Sequence, residues 1–503
     1  MKAHVHPATK PLSGVIEPPS SKNYTLRYVI ASAYAPGASV VHRPAVQDDS
    51  TALVRCLKQF GAAITALDRQ GRAVDFTVAN AGVVDRLEII GFGAAPKTPA
   101  GVVDPDNAGA VLRMLIGVAA LCEGEVRFDT AHHKESLGKR PNRDLLDALE
   151  QLGVETESRG EEGALPLAIR GGRPRIKAHI AARRKELGLD EFEPFPVTVS
   201  GAVSSQFLSA LLFMAPNLDE TVRISVTGSL RSVPLIETTR SVMRDAGIEV
   251  ESDADRLIHQ IRRSRSAYAA RRWDVNGDWP GSAAILAAAA VVPGSDIAIR
   301  RLKDDEQGER RCIEFYRAMG CHVAYEPVEG ESGLALRLRA PEGHIQSARI
   351  NGDLCTDAVL AMMSAGACAE GVSRFLGIGN LQFKECDRVR EPIAELRKID
   401  STGPPSGIPP AGWDWESAAS VAEWEPNDNP DVIQMMGRPE GFEGGIEVDG
   451  RGDHRVIMML SVVALRCRLG LTVTGAHHVA KSFPGWFETL GAMGAKIDLI
   501  EDL

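Results

Sequence analysis

Cysteine is scarce in this chain: eight among 503 residues, with no CxxC pair. That argues for reduced thiols rather than a disulfide framework. No apolar run approaches the ~20 residues that span a bilayer. The longest run of small apolar residues, Ala283 to Val292, stops well short. The opening Met1-Lys2-Ala3-His4-Val5-His6 has no signal-peptide core. Positive charge is not in excess either, since 57 Lys and Arg face 67 Asp and Glu, a formal net charge of −10. A global basic field for nucleic acid is therefore missing, and any anion site must be local. No G-x-x-x-x-G-K-[ST] occurs, and Gly377-Ile378-Gly379-Asn380 lacks the third glycine of a dinucleotide fingerprint. The expectation is a soluble, cytoplasmic protein that binds neither membrane nor nucleic acid.

What is present is an internal repeat. Hydrophobic residues make up 44% of the chain and charged residues 25%, an ordinary globular balance. The length, about three times a ~150-residue domain, predicts at least two domains. One pattern recurs six times: a polar cluster, an Ala/Leu/Met-rich helical stretch, a turn and a β-rich run. Its copies open near Lys22, Asn107, Ser204, Asp278, Asp353 and Asp453, spaced by 85, 97, 74, 75 and 100 residues. These intervals are too long for a solenoid and suit a duplicated βα unit. Each copy continues into a one-sided helix. In the first, Asp49 or Ser50 is the expected cap and Leu53, Cys56, Leu57 and Phe60 form the apolar stripe. Five of these helices end at Gly61, Gly153, Gly247, Gly320 and Gly494; the fifth copy instead runs into a Pro/Gly/Trp-rich stretch, 401–445, expected as an irregular surface excursion. The first helix of each copy is apolar nearly all round and therefore buried. Only its start can reach solvent, and the free N–H groups there favour anions.

Cations stand at those starts. Acidic residues are the stabilising choice at a helix N-terminus, yet Lys22 and Arg27, Arg113, and Arg455 lie near the starts of buried helices. Arg140, Lys384 with Arg388, and Lys481 precede one-sided helices. One such residue is ordinarily a solvated surface charge. Seven or eight at matching points of a repeat suggest a shared pocket for a phosphate and a carboxylate. Ser204-Ser205-Gln206 suits either a plain cap or a phosphate. The adjacent pairs His132-His133 and His477-His478 are poor joint metal ligands, because neighbours on a strand face opposite ways. Cys355 and Cys386, near the charged clusters, read as bystander thiols.

These clusters resemble the enolpyruvyl transferase family, most closely the branch that acts on 3-phosphoshikimate. The resemblance rests on Pro19-Ser20-Ser21-Lys22 with Arg27, Asp106-Asn107-Ala108-Gly109 with Arg113, and Lys139-Arg140-Pro141. It continues through Ser200 to Leu208, Asp357-Ala358, Asn380 with Lys384-Glu385-Cys386-Asp387-Arg388, Gly452-Asp453-His454-Arg455 and Ala480 to Pro484. Together they span nearly the whole chain. The resemblance implies an α/β protein of two domains, each with three βαβαββ-type units around buried parallel helices and with the site in the cleft between them. Residues 1–19 with 275–503 would form one domain and 20–274 the other.

The resemblance further implies transfer of the enolpyruvyl group of phosphoenolpyruvate to a hydroxyl of a phosphorylated acceptor, by a monomer needing no metal or organic cofactor. Phosphoenolpyruvate would be held by Lys22, Asn107, Gly109, Arg140, Gln206, Arg388, Arg455 and Lys481. Glu385 would protonate C3 with Lys22 as partner, and Asp357 would activate the acceptor hydroxyl. The acceptor would meet Asn23, Arg27, Ser204, Ser205, Gln206, Ser232, Asp357, Asn380 and Lys384. Asn23 stands where the shikimate branch has Ser, and Leu235 where some members have a ring-contacting Tyr. A basic stretch, Lys177 to Lys185, is also added. The acceptor is thus open among 3-phosphoshikimate and another phosphorylated molecule such as the nucleotide UMP; an inactive anion-binding homologue is the third reading.

Overall fold

The computed structural model describes residues 1–131, 137–263, 268–328, 333–399, 423–424 and 431–501. The chain divides into a continuous unit, Ser20–Val275, and a discontinuous unit made of Met1–Pro19 with Asn276–Leu503.

Six sheets are present among the described residues, three in each unit. The third copy shows how a sheet is assembled. Strand Phe195–Ser200 is followed by the buried helix Ser205–Met214, and the chain returns as Val222–Thr227, parallel to the first strand with Phe195 opposite Val222. Parallel neighbours require a crossover, and the buried helix supplies it. The alternation of Phe195, Val197 and Val199 inward with Pro196 and Thr198 outward seats one face on that helix. The one-sided helix Val233–Asp245 then leads to Ile258–Ile261, antiparallel to Val222–Thr227.

Segments distant in sequence complete other copies. Arg272–Asp274 lies parallel to Ala38–His42 in the continuous unit. In the discontinuous unit Ser13–Ile16 lies parallel to Asp296–Ile299, and Lys2–Val5 runs antiparallel to both Leu471–Val473 and Ile497–Ile500.

The six buried helices are Lys22–Tyr34, Gly109–Ala119, Ser205–Met214, Trp279–Val291, Val359–Ala367 and His454–Ala464. Every residue of Trp279–Val291 is buried. The one-sided helices are Asp48–Gln59, Arg143–Glu150, Val233–Asp245, Cys312–Ala318, Arg390–Ile399 and Trp486–Ala492. Gly61 and Gly153 follow their helices at φ +100° and +84°, a left-handed conformation costly for other residues.

Three expectations need correction. The first one-sided helix is capped by Gln47 rather than Asp49 or Ser50, and Ser50 Oγ accepts from the Gln47 N–H at 3.0 Å. The excursion expected over 401–445 contains a core strand, Val432–Met436, antiparallel to Val372–Leu376, with Ile433 and Met435 fully buried. His477 and His478 lie in the 3-10 helix Ala476–Lys481, not on a strand, and their rings pack 4.1 Å apart. His132 and His133, like residues 401–422 and 425–430, lie outside the described residues.

Candidate functional site

The predicted residues of each unit lie near the starts of its buried and one-sided helices. In the continuous unit Ser21 caps helix Lys22–Tyr34, whose first turn holds no acidic residue. Lys22 Nζ is offset instead by Asp49 Oδ2, 3.0 Å away on the neighbouring one-sided helix. Arg27, 2% exposed, donates to the Asn23 carbonyl (3.0 Å), Thr239 Oγ1 (2.9 Å) and the Leu235 carbonyl (3.1 Å). At least three of its five N–H groups thus serve the fold.

Helix Gly109–Ala119 likewise begins without an acidic residue or a side-chain cap. Asn107 Oδ1 accepts from the Leu137 N–H at 3.0 Å, which ties this helix start to the segment leading to Arg140. Arg140 rests on Gly109: a Cβ there would lie 2.6 Å from Arg140 Nη1. The absent side chain is what admits the guanidinium to the helix start. Behind it, buried Arg113 donates to Gln206 Oε1 at 2.7 Å, Ser204 Oγ at 3.3 Å and Asn142 Oδ1 at 3.2 Å, with Phe207 under its guanidinium. Burial, and secondarily the neighbouring Arg140, push the Arg113 guanidinium down to about 9. Ser204 also caps helix Ser205–Met214 by accepting from the Gln206 N–H. Ser205 is buried, and Ser232 starts its helix at φ +53°.

In the discontinuous unit the residues form one ionic network. Arg388, 2% exposed, donates through Nε and Nη2 to Asp453 (2.8 and 3.1 Å) and through Nη2 to Glu385 Oε2 (2.7 Å). Its Nη1 reaches Asp357 Oδ1 at 3.4 Å, and Lys384 Nζ approaches the same oxygen at 3.7 Å. Lys481 Nζ meets Glu385 Oε1 at 2.9 Å. Although burial opposes its charge, this ring of carboxylates, Asp453 foremost, raises the Arg388 guanidinium above its ordinary value. Asp453 caps helix His454–Ala464 through the Arg455 N–H. The Arg455 side chain is 5% exposed, and its Nε and Nη1 make no hydrogen bond among the described residues. Buried donors in that state are costly, so they mark a place where an anion binds well. Asn380 stands on the 3-10 turn Gly379–Phe383, immediately before Lys384.

A family model described as EPSP synthase (3-phosphoshikimate 1-carboxyvinyltransferase) matches residues 7–490. The chain belongs to the EPSP synthase family. A relative named 3-phosphoshikimate 1-carboxyvinyltransferase from Deinococcus radiodurans is 35% identical, with 99% of this chain and 97% of that protein covered. One of the same name from Methanothrix thermoacetophila is 30% identical, with 97% of each covered. The solved EPSP synthase of Acinetobacter baumannii shares the fold at a TM-score of 0.72, over 99% of this chain and all of that one, with 20% identity. The EPSP synthase family accounts for the α/β architecture with three sheets in each of two units.

Several residues around the candidate site escape a reading of motifs. Asp49 reads as a capping residue and turns out to be the counterion of Lys22. Arg113 and Asp453 stand inside recognisable motifs, but that they organise Gln206 and Arg388 is visible only in three dimensions. Glu309, which accepts from the Asp357 N–H at 3.3 Å, has no sequence signal beyond its place before a one-sided helix.

Proposed function

We propose that this chain transfers the enolpyruvyl group of phosphoenolpyruvate to a hydroxyl of 3-phosphoshikimate and releases inorganic phosphate, with no metal or organic cofactor. The reading rests first on one observation: two carboxylates, Asp357 and Glu385, share the buried guanidinium of Arg388, with Lys481 on the outer oxygen of Glu385. An acid and a base held side by side by one cation suit a reaction that removes one proton while adding another. Membership of the EPSP synthase family supports 3-phosphoshikimate over UMP as acceptor, and speaks against an inactive anion binder.

In this mechanism Asp357 takes the proton of the acceptor hydroxyl as its oxygen bonds to C2 of phosphoenolpyruvate. Glu385 delivers a proton to C3, with Lys22 as partner, giving a tetrahedral adduct. A proton then leaves C3, the C2–O bond to phosphate breaks and the enol ether forms. Lys22, Arg140, Gln206, Arg388, Arg455 and Lys481 hold the carboxylate and phosphate of phosphoenolpyruvate, with the helix start at Asn107 and Gly109. Ser204, Ser205, Ser232 and Lys384 take the acceptor phosphate, while Asn23, Arg27 and Asn380 take its ring substituents. Eight free thiols, seven of them buried, suit an enzyme in a reducing cytoplasm.

The test is phosphate release on mixing the protein and phosphoenolpyruvate with 3-phosphoshikimate or with UMP. Release with 3-phosphoshikimate is expected. Release with UMP alone, or with neither, would overturn the reading.

A further inference from the structure

Glu309 lies beside this network, and the mechanism does not use it. It lies in the 3-10 turn Gly308–Arg311 and is 4% exposed. Its Oε1 accepts from the Asp357 N–H at 3.3 Å, while its Oε2 is buried without a hydrogen bond among the described residues. Asp357 itself is less buried and has Arg388 and Lys384 on its side chain. Two neighbouring carboxyls in such a place do not both ionise cheaply, and the one with cations keeps the charge.

We propose that Glu309 is a positioning residue for Asp357: a protonated buried carboxyl that anchors the Asp357 backbone and leaves the charge of the pair on the base. This deepens the function proposed above and rests on it. The surroundings agree. Burial, and after it the Asp357 charge, push the Glu309 carboxyl up to about 7, against smaller opposing influences from the backbone N–H groups of Glu309 and Asp357 and from Arg455. The other titratable groups facing it, the buried thiols of Cys312 and Cys355, are held well above their ordinary range and stay neutral. Ionising Glu309 sets a second negative charge against Asp357 and draws on Arg455, a cation meant for substrate.

The experiment compares Glu309→Gln and Glu309→Ala with the parent enzyme across about pH 6 to 8.5. Gln keeps the acceptor for the Asp357 N–H and carries no proton to lose. It is expected to hold kcat within about threefold at the acidic end, where the parent carboxyl is neutral. Its kcat relative to the parent should then rise with pH, since only the parent ionises at this position. Ala removes the anchor and should lower kcat about tenfold or more with little change in KM, general acid–base groups being worth about 10²–10⁴-fold when fully lost. The protonated-carboxyl stretch in the infrared difference between low and high pH should be weaker in Glu309→Gln than in the parent by the contribution of one carboxyl. This last readout needs no turnover, and it holds even if Ala misfolds. A pH-independent Gln-to-parent ratio, or an unchanged infrared band in the Gln variant, overturns the positioning role while leaving the transferase intact. A parent that releases no phosphate from either acceptor overturns the function and with it this role, whatever the infrared band shows.

Discussion

Lys481 and Glu385 are joined by an ion pair of 2.9 Å between Nζ and Oε1, each side chain 13% exposed. The other carboxylate oxygen of Glu385 is held by Arg388 at 2.7 Å. A carboxylate held at both oxygens by cations favours its ionised form. To protonate carbon it must first be relieved of them, and a doubly anionic substrate that competes for Lys481 and Arg388 does this. The expected consequence is that Glu385→Gln, which keeps the shape and loses the proton, binds phosphoenolpyruvate with KM changed only a few-fold. Its kcat should fall by about 10²–10⁴. Steady-state phosphate release measures both constants, and a variant with full turnover removes Glu385 from the mechanism.

Arg388 is as much a structural residue as a site residue. Its guanidinium pairs with Asp453, which is fully buried, and also with Glu385 and Asp357. Removing one partner of a buried ion pair costs about 3–5 kcal/mol, because the remaining charge is left uncompensated. Arg388→Ala should therefore lower the unfolding free energy by that order. Urea titration checks this; a loss under about 1 kcal/mol would show that the buried carboxylates do not depend on Arg388.

Gly109 offers a separation of binding from folding. The position starts a helix and its φ is not in the left-handed range, so Ala is conformationally acceptable there. The added Cβ would lie 2.6 Å from Arg140 Nη1, a contact that only displacement of the guanidinium relieves. Gly109→Ala should raise the KM for phosphoenolpyruvate about tenfold through the misplaced Arg140, with the thermal midpoint changed by only a few degrees. An unchanged KM would show that Arg140 does not reach this substrate.

The buried helices are legible in the sequence because their apolar character is all-round: Leu208 to Met214 or Ala283 to Val291 has no wet face to hide. The stop glycines are legible for a local reason as well, since Gly61 and Gly153 must turn left-handed. Strand Val432–Met436 is not, because it follows a Pro/Gly/Trp-rich stretch that carries no periodicity of its own. At the candidate site Lys384, Glu385 and Arg388 are neighbours in the chain and read as a motif. Asp453 and Glu309 join that motif from 65 residues beyond Arg388 and 48 before Asp357, distances over which no pattern in a single sequence speaks. Asp49 misled through its composition: an acidic residue at a helix start is stabilising in its own right, which masks its service to Lys22.

Asp305 provides a pH-dependent term in stability apart from the candidate site. Its carboxylate accepts from the Gln307 N–H at 3.0 Å, from Gln307 Nε2 at 2.9 and 3.1 Å and from Asn276 Nδ2 at 2.9 Å. Gln307 in turn accepts from the Trp279 N–H and donates to the Gly277 carbonyl, which organises the start of helix Trp279–Val291. Burial nevertheless outweighs these bonds and raises the Asp305 carboxyl to about 6. Between the ordinary Asp value of about 4 and about 6, the native protein keeps a proton that the unfolded chain has released. Stability from this group therefore falls as pH rises across that window, and the loss is complete above it. Asn is close in shape to the protonated acid and does not titrate. Asp305→Asn should match the parent in thermal midpoint near pH 4, and exceed it progressively up to about pH 6, with the gap constant beyond. Parallel midpoints for the two proteins from pH 4 to 7 would mean that Asp305 ionises natively as freely as it does unfolded.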